Sequence, residues 1–368
     1  MSRTPSPSVR SASPVPGAAA PLPVSVLPLT GLGKVREGAD LAALLAEALA
    51  PLSPREGDVL CVSTKIVSKA LGLRIAPEER DAAIARAAVR TVARRLHTRV
   101  VTSVVQIPSG PVMAAAGVDS SNAPDGPLLL PEDPDACAHE LREGLRSRLG
   151  IALGVVLTDT SSRIWRVGVS DIALGAAGVA ALEDLRGGVD ADGRALTVTV
   201  RNLADELAAA ADLVKGKASG VPAALVRGVP GATGADVPAR ELSRTGGEDW
   251  FRRPSLESVW VALGLAPEQE PIARMSPEPA EERIVRALEV AALPRAGRGP
   301  YRASAAAVRG RSGTTHIVVE RTDASAASLA DAAALAERIR TALGAESLGE
   351  PLPEVPVLLV PDPEEDPR

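Results

Sequence analysis

Short runs of consecutive apolar residues, set between alanine-rich stretches of helical period, constrain this chain most. Val24 to Leu29, Val59 to Ser63, Val100 to Ile107, Ile151 to Leu157, Leu196 to Val200 and Ala223 to Val226 each read as a strand. Strands this continuously apolar belong to sheets covered on at least one face. The covers are legible as well: Asp40 is placed to cap a helix whose Leu41, Leu44, Leu45, Ala48 and Leu49 share one face. Pro134 to Leu149 and Leu203 to Val214 are further helices. Strands alternating with helices predict a mixed α/β architecture.

With three Trp, one Tyr and one Phe among 368 residues, the interior must be filled by Ala, Val, Leu and Ile. Base stacking on aromatic rings is therefore not expected, and a net charge of -5 offers no basic footprint for nucleic acid. Residues 1–23 carry no apolar stretch long enough for a signal peptide or a membrane span, and Cys61 and Cys137 read as buried thiols, so a cytoplasmic location is expected. Residues 1–23, rich in Ser, Pro and Ala, and the acidic, Pro-rich 361–368 read as disordered tails. A Gly, Pro and Ala-rich stretch from Arg227-Gly228 to about Pro238 reads as a boundary. Beyond it come helices around Pro254 to Leu263, Glu281 to Ala292 and Leu329 to Leu343, and a strand at His316 to Glu320.

Two acidic blocks carry the chemistry. Asp119 stands in Ala114-Ala115-Ala116-Gly117-Val118-Asp119-Ser120-Ser121-Asn122, where small residues let a ligand approach the backbone, and Asp159 follows the apolar run ending at Thr158. Carboxylates from two separate elements can hold a divalent cation while leaving positions for phosphate oxygens, and Thr160 adds a hydroxyl. Each Asp can instead merely cap a turn or helix, the commoner role of an Asp followed by Ser or Thr, and spacing alone does not decide against it. Lys65 and Lys69, past the strand that begins at Val59, are placed to neutralise phosphate charge, although lysines are also common on solvated surfaces. Lysine recurs at Lys215-Gly216-Lys217 in a chain that otherwise favours Arg, but that run lacks the spacing and following hydroxyl of a P-loop. Gly31-Leu32-Gly33 lacks the third glycine of a dinucleotide fingerprint, and His97, His139 and His316 show no metal-ligand spacing.

Taken in order, Gly57-Asp58-Val59, Ser63 to Lys69, Ala115 to Asn122 and Thr158-Asp159-Thr160 closely resemble the coenzyme F-420-0:L-glutamate ligase family. So do Arg163, Trp165-Arg166, Gly168, Asp171, Gly175, Gly178, the run Ala204 to Ala211 and Val226-Arg227-Gly228. The resemblance implies a γ-glutamyl ligase fold over 24–230, a homodimer, and amide formation driven by GTP with magnesium or manganese. GTP would phosphorylate the lactyl carboxylate of F-420-0, and the amino group of L-glutamate would displace the phosphate. By the same resemblance Asp119, Asp159 and Thr160 hold the metal. Leu32, Gly33, Lys34, Val35, Thr64, Lys69 and Asn122 contact GTP, with Lys215, Gly216 and Lys217 counted beside them. Asp119, Asp159 and Lys69 carry the chemistry. Arg163 and Arg166 join them on charge alone, as partners for anionic substrate groups.

Ser109-Gly110 departs from a frequent His-Gly pair, Ser161-Ser162 from a pair ending in Gly, and Lys217 from an amide or carboxylate metal ligand of single-domain relatives. The Val214 to Lys217 run is similar to the two-domain form of the family, and Glu248-Asp249-Trp250-Phe251 looks like its connector, placed here within 231–253. Residues 254–360 then resemble a truncated nitroreductase-like region. Its flavin-phosphate cluster is reduced to Ala273-Arg274-Met275-Ser276, so no FMN is expected. Alternative readings are a nucleotide-binding scaffold or regulator without ligase activity, and a different metal-dependent carboxylate-amine ligase.

Overall fold

The computed structural model of the chain describes residues 23–97, 100–120, 123–164, 166–244, 256–271, 278–310, 314–347 and 351–360. The expected tails fall almost wholly outside the described residues, as do Ser121, Asn122, Trp165, Glu248 to Phe251 and Ala273 to Ser276.

The central sheet is built from β1 (Ser25–Pro28), β2 (Val59–Ser63), β6 (Gly154–Ser162), β7 (Val169–Ala177) and β10 (Ala223–Arg227) in the order β1, β10, β2, β6, β7. β2 and β6 run parallel and the other neighbours antiparallel. Side-chain alternation explains why β2 tolerates no polar residue in its middle. Leu60 and Val62 share a core with Leu45 and Leu49 of α1 (Leu41–Leu49) and with Leu141 and Leu145 of α4 (Pro134–Leu149). Val59 and Cys61 join Leu203, Leu207 and Ala211 of α5 (Leu203–Lys215) on the other side. Both faces are thus covered, and burial pushes the Cys61 thiol up to about 12. Asp40 caps α1 as expected, its carboxylate accepting from the Ala43 N–H at 2.9 Å. The architecture is mixed α/β, as the alternation predicted.

Other strand readings shift. The run expected at Ile151 to Leu157 starts at Gly154 and continues to Ser162, so Asp159 lies within β6 rather than after it. Of Leu196 to Val200 only Val200 is in a strand, the start of β9 (Val200–Asn202), which pairs with β8 (Leu182–Asp184). Lys65 and Lys69 sit on a short helix, α2 (Thr64–Ala70). β4 (Val100–Gln106) is the middle of a meander with β3 (Arg90–His97) and β5 (Val112–Ala114). Val105 and Met113 of that meander share a core with Ile84 of α3 (Arg80–Ala87) and Leu174 of β7.

β7 approaches α4 closely at Gly175. A Cβ there would run into the main chain of Pro134 and Asp135. The same turn of α4 supplies Asp135, a buried carboxylate that accepts from the N–H groups of Ala176 at 2.9 Å and Ala239 at 2.7 Å. The Gly and Pro-rich stretch after Arg227 is therefore packed over part of its length: Ala232 and Ala239 are buried, and Asp236 accepts from the Gly178 N–H at 2.6 Å.

The later region is a small α/β unit of α6 (Leu256–Ala262), α7 (Ala280–Ala292), β11 (Ala303–Arg309), β12 (Thr315–Arg321), α8 (Ala326–Glu346) and β13 (Val357–Leu359), with sheet order β11, β12, β13. Trp260, Ile284, Val290, Ile317, Leu335 and Ile339 form its core. Arg338, buried on α8, donates to the Leu263, Ala291 and Leu293 carbonyls where α6 and α7 end, a cation at two helix C-termini. Arg286 ties Glu278 to Glu346 at 2.7 Å on each side. Contact with the earlier region runs through β3: Ser258 donates to the Val92 carbonyl, and Arg94 to the Leu265 carbonyl and Glu270. Among the described residues no helix is long and apolar enough to cross a membrane.

Gly175→Ala should lower unfolding stability by about 1–3 kcal/mol in urea titration, because the obstructing atoms are main chain. Gly299→Ala, where an added Cβ meets nothing within 4 Å, should move it by less than about 0.5 kcal/mol.

Candidate active site

β2 and β6, apolar through their middles, carry polar residues only at their C-terminal ends, where parallel strands commonly open onto a ligand site. A cavity of about 800 Å³ opens there. Ser63, Asp159 to Ser162, and Val169 and Asp171 of β7 form one side; Lys65 and Lys69 of α2 form another. The two lysines are one helical turn apart and so present to the same space. Leu32 to Val35 and Lys215 to Ala218 complete much of the wall.

Asp119 reaches this wall through an unusual turn. Ala115, Ala116 and Gly117 have φ values of 52°, 54° and 71°, all left-handed, a conformation that costs a non-glycine residue about 1–2 kcal/mol. Buried packing of Ala115 and Ala116 holds the turn, and reciprocal main-chain bonds between Asp119 and Leu128 at 3.0 and 2.9 Å fix the chain as it leaves. The Asp119 carboxylate pairs with Lys65 at 2.7 Å. Asp159 lies on the same cavity. Its carboxyl is pushed up to about 7, chiefly by burial and further by the Asp119 and Asp171 carboxylates, against the opposing Thr160 N–H bond and Lys65 charge. Such a carboxylate lacks sufficient positive charge beside it.

Beneath Asp159 lies a second, fully built network. β6 pairs with β7 so that Thr160 stands opposite Asp171, after a register shift between Leu157 and Thr158. Asp171 accepts from Thr160 through one carboxylate oxygen and from Thr158 through the other, both at 2.9 Å. Lys215, buried at the end of α5, donates to that second oxygen at 2.5 Å and to the Thr158 hydroxyl at 2.6 Å. Burial pushes the Asp171 carboxyl up, but the Lys215 charge and these hydrogen bonds outweigh it and hold the group below its ordinary value. Lys217 reaches the Thr160 hydroxyl and lies 3.7 Å from Asp171 and 3.9 Å from Asp212.

The residues expected to act at the site are thus gathered unequally. Asp119, Asp159, Thr160, Lys69, Leu32, Gly33, Lys34, Val35, Lys215, Gly216 and Lys217 all line the cavity. Thr64 is buried below it, its hydroxyl donating to the Thr158 carbonyl at 3.2 Å. Arg163 and Arg166 are exposed in the connection between β6 and β7, off the wall; burial pushes the nearby Asp205 carboxyl up, and the Arg163 charge only partly opposes it after the bonds from Ala173 and Asn202. Asn122 lies outside the described residues. Sequence reasoning missed Asp171 and Asp212 as wall residues; the i, i+2 hydroxyls of Thr158 and Thr160 were the available signal for a shared acceptor across the strand.

A family model described as F420-0:Gamma-glutamyl ligase matches residues 31–228, more than half of the chain. The chain belongs to that family. Among curated relatives, the coenzyme F420:L-glutamate ligase of Methanopyrus kandleri is 40% identical over 239 residues, spanning 60% of this chain and 94% of that protein. The enzyme of the same name from Haloarcula marismortui is 38% identical over 264 residues, 65% of this chain and 97% of that protein. That of Archaeoglobus fulgidus is 37% identical over 247 residues, 62% of this chain and 97% of that protein. The family match contains every described site residue of the cavity and of the network beneath it.

Removing one partner of a buried ion pair strands the other. Lys215→Met should therefore cost about 3–5 kcal/mol of stability, and Asp171→Asn added to it should recover most of that loss, as read by urea unfolding.

Proposed function

We propose that this chain is a ligase that joins L-glutamate through its amino group to the lactyl carboxylate of coenzyme F-420-0, with GTP as the phosphoryl donor. The observation that carries this reading is the meeting of Asp119 and Asp159, from separate elements, on one cavity with five lysines, Lys34, Lys65, Lys69, Lys215 and Lys217, in a chain of this family. A space of about 800 Å³ is in the range of small-molecule sites.

The residues fit a divalent cation. Among the described residues no three His, Cys, Asp or Glu side chains make a ready metal cluster. Magnesium is commonly held by one or two carboxylates, with substrate phosphates and water completing its shell. Asp119, Asp159 and the Thr160 hydroxyl would hold the ion, and the charge deficit around Asp159 is what a cation relieves. When bound, magnesium or manganese supplies charge neutralisation to the phosphate oxygens.

The chain's own groups do the rest. Two anions, the lactyl carboxylate and the GTP γ-phosphate, must approach each other, and the lysines cancel their repulsion. Burial, with the nearby charges of Lys65 and Arg74, lowers the Lys69 pKa, and an arriving phosphate favours its charged form. The carboxylate oxygen attacks the γ-phosphorus of GTP; the new O–P bond forms as the bond to the β-phosphate oxygen breaks, giving an acyl phosphate and releasing GDP. The glutamate amine then attacks the acyl carbon; the C–N bond forms, the C–O bond to phosphate breaks, and phosphate leaves with the electron pair as the amine loses its proton. Leu32 and Val35, packed against the core, give the neighbouring Gly33 and Lys34 a fixed base from which to meet the nucleotide. Arg163, which adjoins the cavity-lining Ser162, is read with Arg166 as drawing in anionic substrate.

Purified protein given F-420-0, L-glutamate, GTP and manganese should yield glutamylated coenzyme by mass spectrometry, with GTP preferred to ATP in competition and a dimeric mass by light scattering. Absence of product beside an active control enzyme would favour a non-ligating nucleotide binder. Asp159→Asn should lower turnover by about 10²–10³-fold or more while circular dichroism stays native.

A further inference from the structure

A hydrogen inventory around Thr160 leads beyond that reading. A threonine hydroxyl has one proton and two acceptor lone pairs, an ionised carboxylate only accepts, and an ammonium only donates. Thr160 must therefore donate its one proton to Asp171 and accept from Lys217. One lone pair remains. Thr158 is arranged the same way, donating to Asp171 and accepting from Lys215, but it is wholly buried and its hydroxyl has no access to a ligand. Thr160, by contrast, lines the cavity.

We propose that Asp171 is the positioning residue of the cation site. By taking the Thr160 proton it leaves an oxygen lone pair, rather than a hydrogen, available to the cavity. The proposal rests on the ligase reading, in which Thr160 is a metal ligand. Three features make Asp171 a fixed acceptor. It stands directly across the strand pair from Thr160, so the ladder sets their separation. Although it borders the cavity it is largely buried, and both its oxygens are already taken by Thr158, Thr160 and Lys215. Lys215, equally buried, keeps it ionised and holds the oxygen not used by Thr160. An amide at position 171 that turned its NH₂ group toward Thr160 would oblige the hydroxyl to accept, and its proton would swing toward the place a cation occupies. The chain would then offer a positive end where a negative one is needed.

Partners that orient a metal ligand typically change metal affinity by about 10–100-fold when removed. The test is Mn²⁺ binding to the full chain, read from the free Mn²⁺ signal in electron paramagnetic resonance and by isothermal titration. Asp171→Asn alone strands the buried Lys215, so the measured variant is Asp171→Asn with Lys215→Met, checked for a native melting temperature. It should bind Mn²⁺ about 10–100-fold more weakly than wild type. Thr160→Val should lose a similar factor, Thr160→Ser should retain wild-type affinity, and Thr160→Val combined with the double variant should lose little more than either. That lack of additivity is the signature of Asp171 acting through Thr160, and a merely structural role would not produce it. Wild-type affinity in the folded double variant, or losses that multiply with Thr160→Val, would overturn the proposal. Asp159→Asn is the separate arm. If it abolishes Mn²⁺ binding while the double variant does not weaken it, only the role of Asp171 fails. If wild type takes up no Mn²⁺, or Asp159→Asn binds as wild type does, the cation reading fails and this proposal falls with it.

Discussion

Two-sided burial of β2 and β6 is the constraint on which the site depends. Helices α1 and α4 cover one face of the sheet and α5 the other, so no water reaches the strand middles and every polar side chain is driven to the ends. The parallel pairing of β2 with β6 sends both C-terminal ends to the same edge. Ser63, Asp159 and Thr160 meet there because the sheet leaves them nowhere else to go.

At that edge the charges divide into two layers. The lower layer, Thr158, Asp171 and Lys215, is charge-balanced and hydrogen-bonded within itself, and the carboxylate is held ionised. The upper layer is not. Asp159 sits where burial and neighbouring carboxylates disfavour its charge, and Lys65 is already engaged with Asp119. A rigid, balanced base beneath an unbalanced rim suits a site whose ligands bring their own charge. The left-handed turn at Ala115 to Gly117 serves the same end, since a relaxed turn would present Asp119 elsewhere.

Much of this was legible in the sequence, for identifiable reasons. Val59 to Ser63 reads as a strand because unbroken apolarity is what two-sided burial demands, and the Asp40 cap and the full span of Pro134 to Leu149 come from local rules. Asp119, Asp159, Thr160 and the Leu32 to Val35 segment, each picked out by its local sequence, lie on one cavity. What failed to show was set by non-local contact. β7 is poor in large residues because α4 crosses it at Gly175, so it carries little strand signal of its own. Asp171 gains its role from the residue opposite it in β6; the spaced hydroxyls of Thr158 and Thr160 hint at a shared acceptor, but only the strand register says which residue it is. Lys215 reads as a phosphate ligand from its neighbours in the chain, whereas its burial commits it to Asp171. Arg163 and Arg166 stand out by charge, and charge does not say which way a connecting turn faces.

The Asp135 carboxylate, with its bonds to Ala176, Ala239 and Arg240, has a mechanical meaning. It moors the outgoing chain to the first turn of α4, and the Arg94 and Ser258 contacts moor the later region to β3. Neither anchorage touches the cavity wall. The path from β3 to the cavity runs instead through the meander, whose last strand places Met113 and Ala114 on the lining.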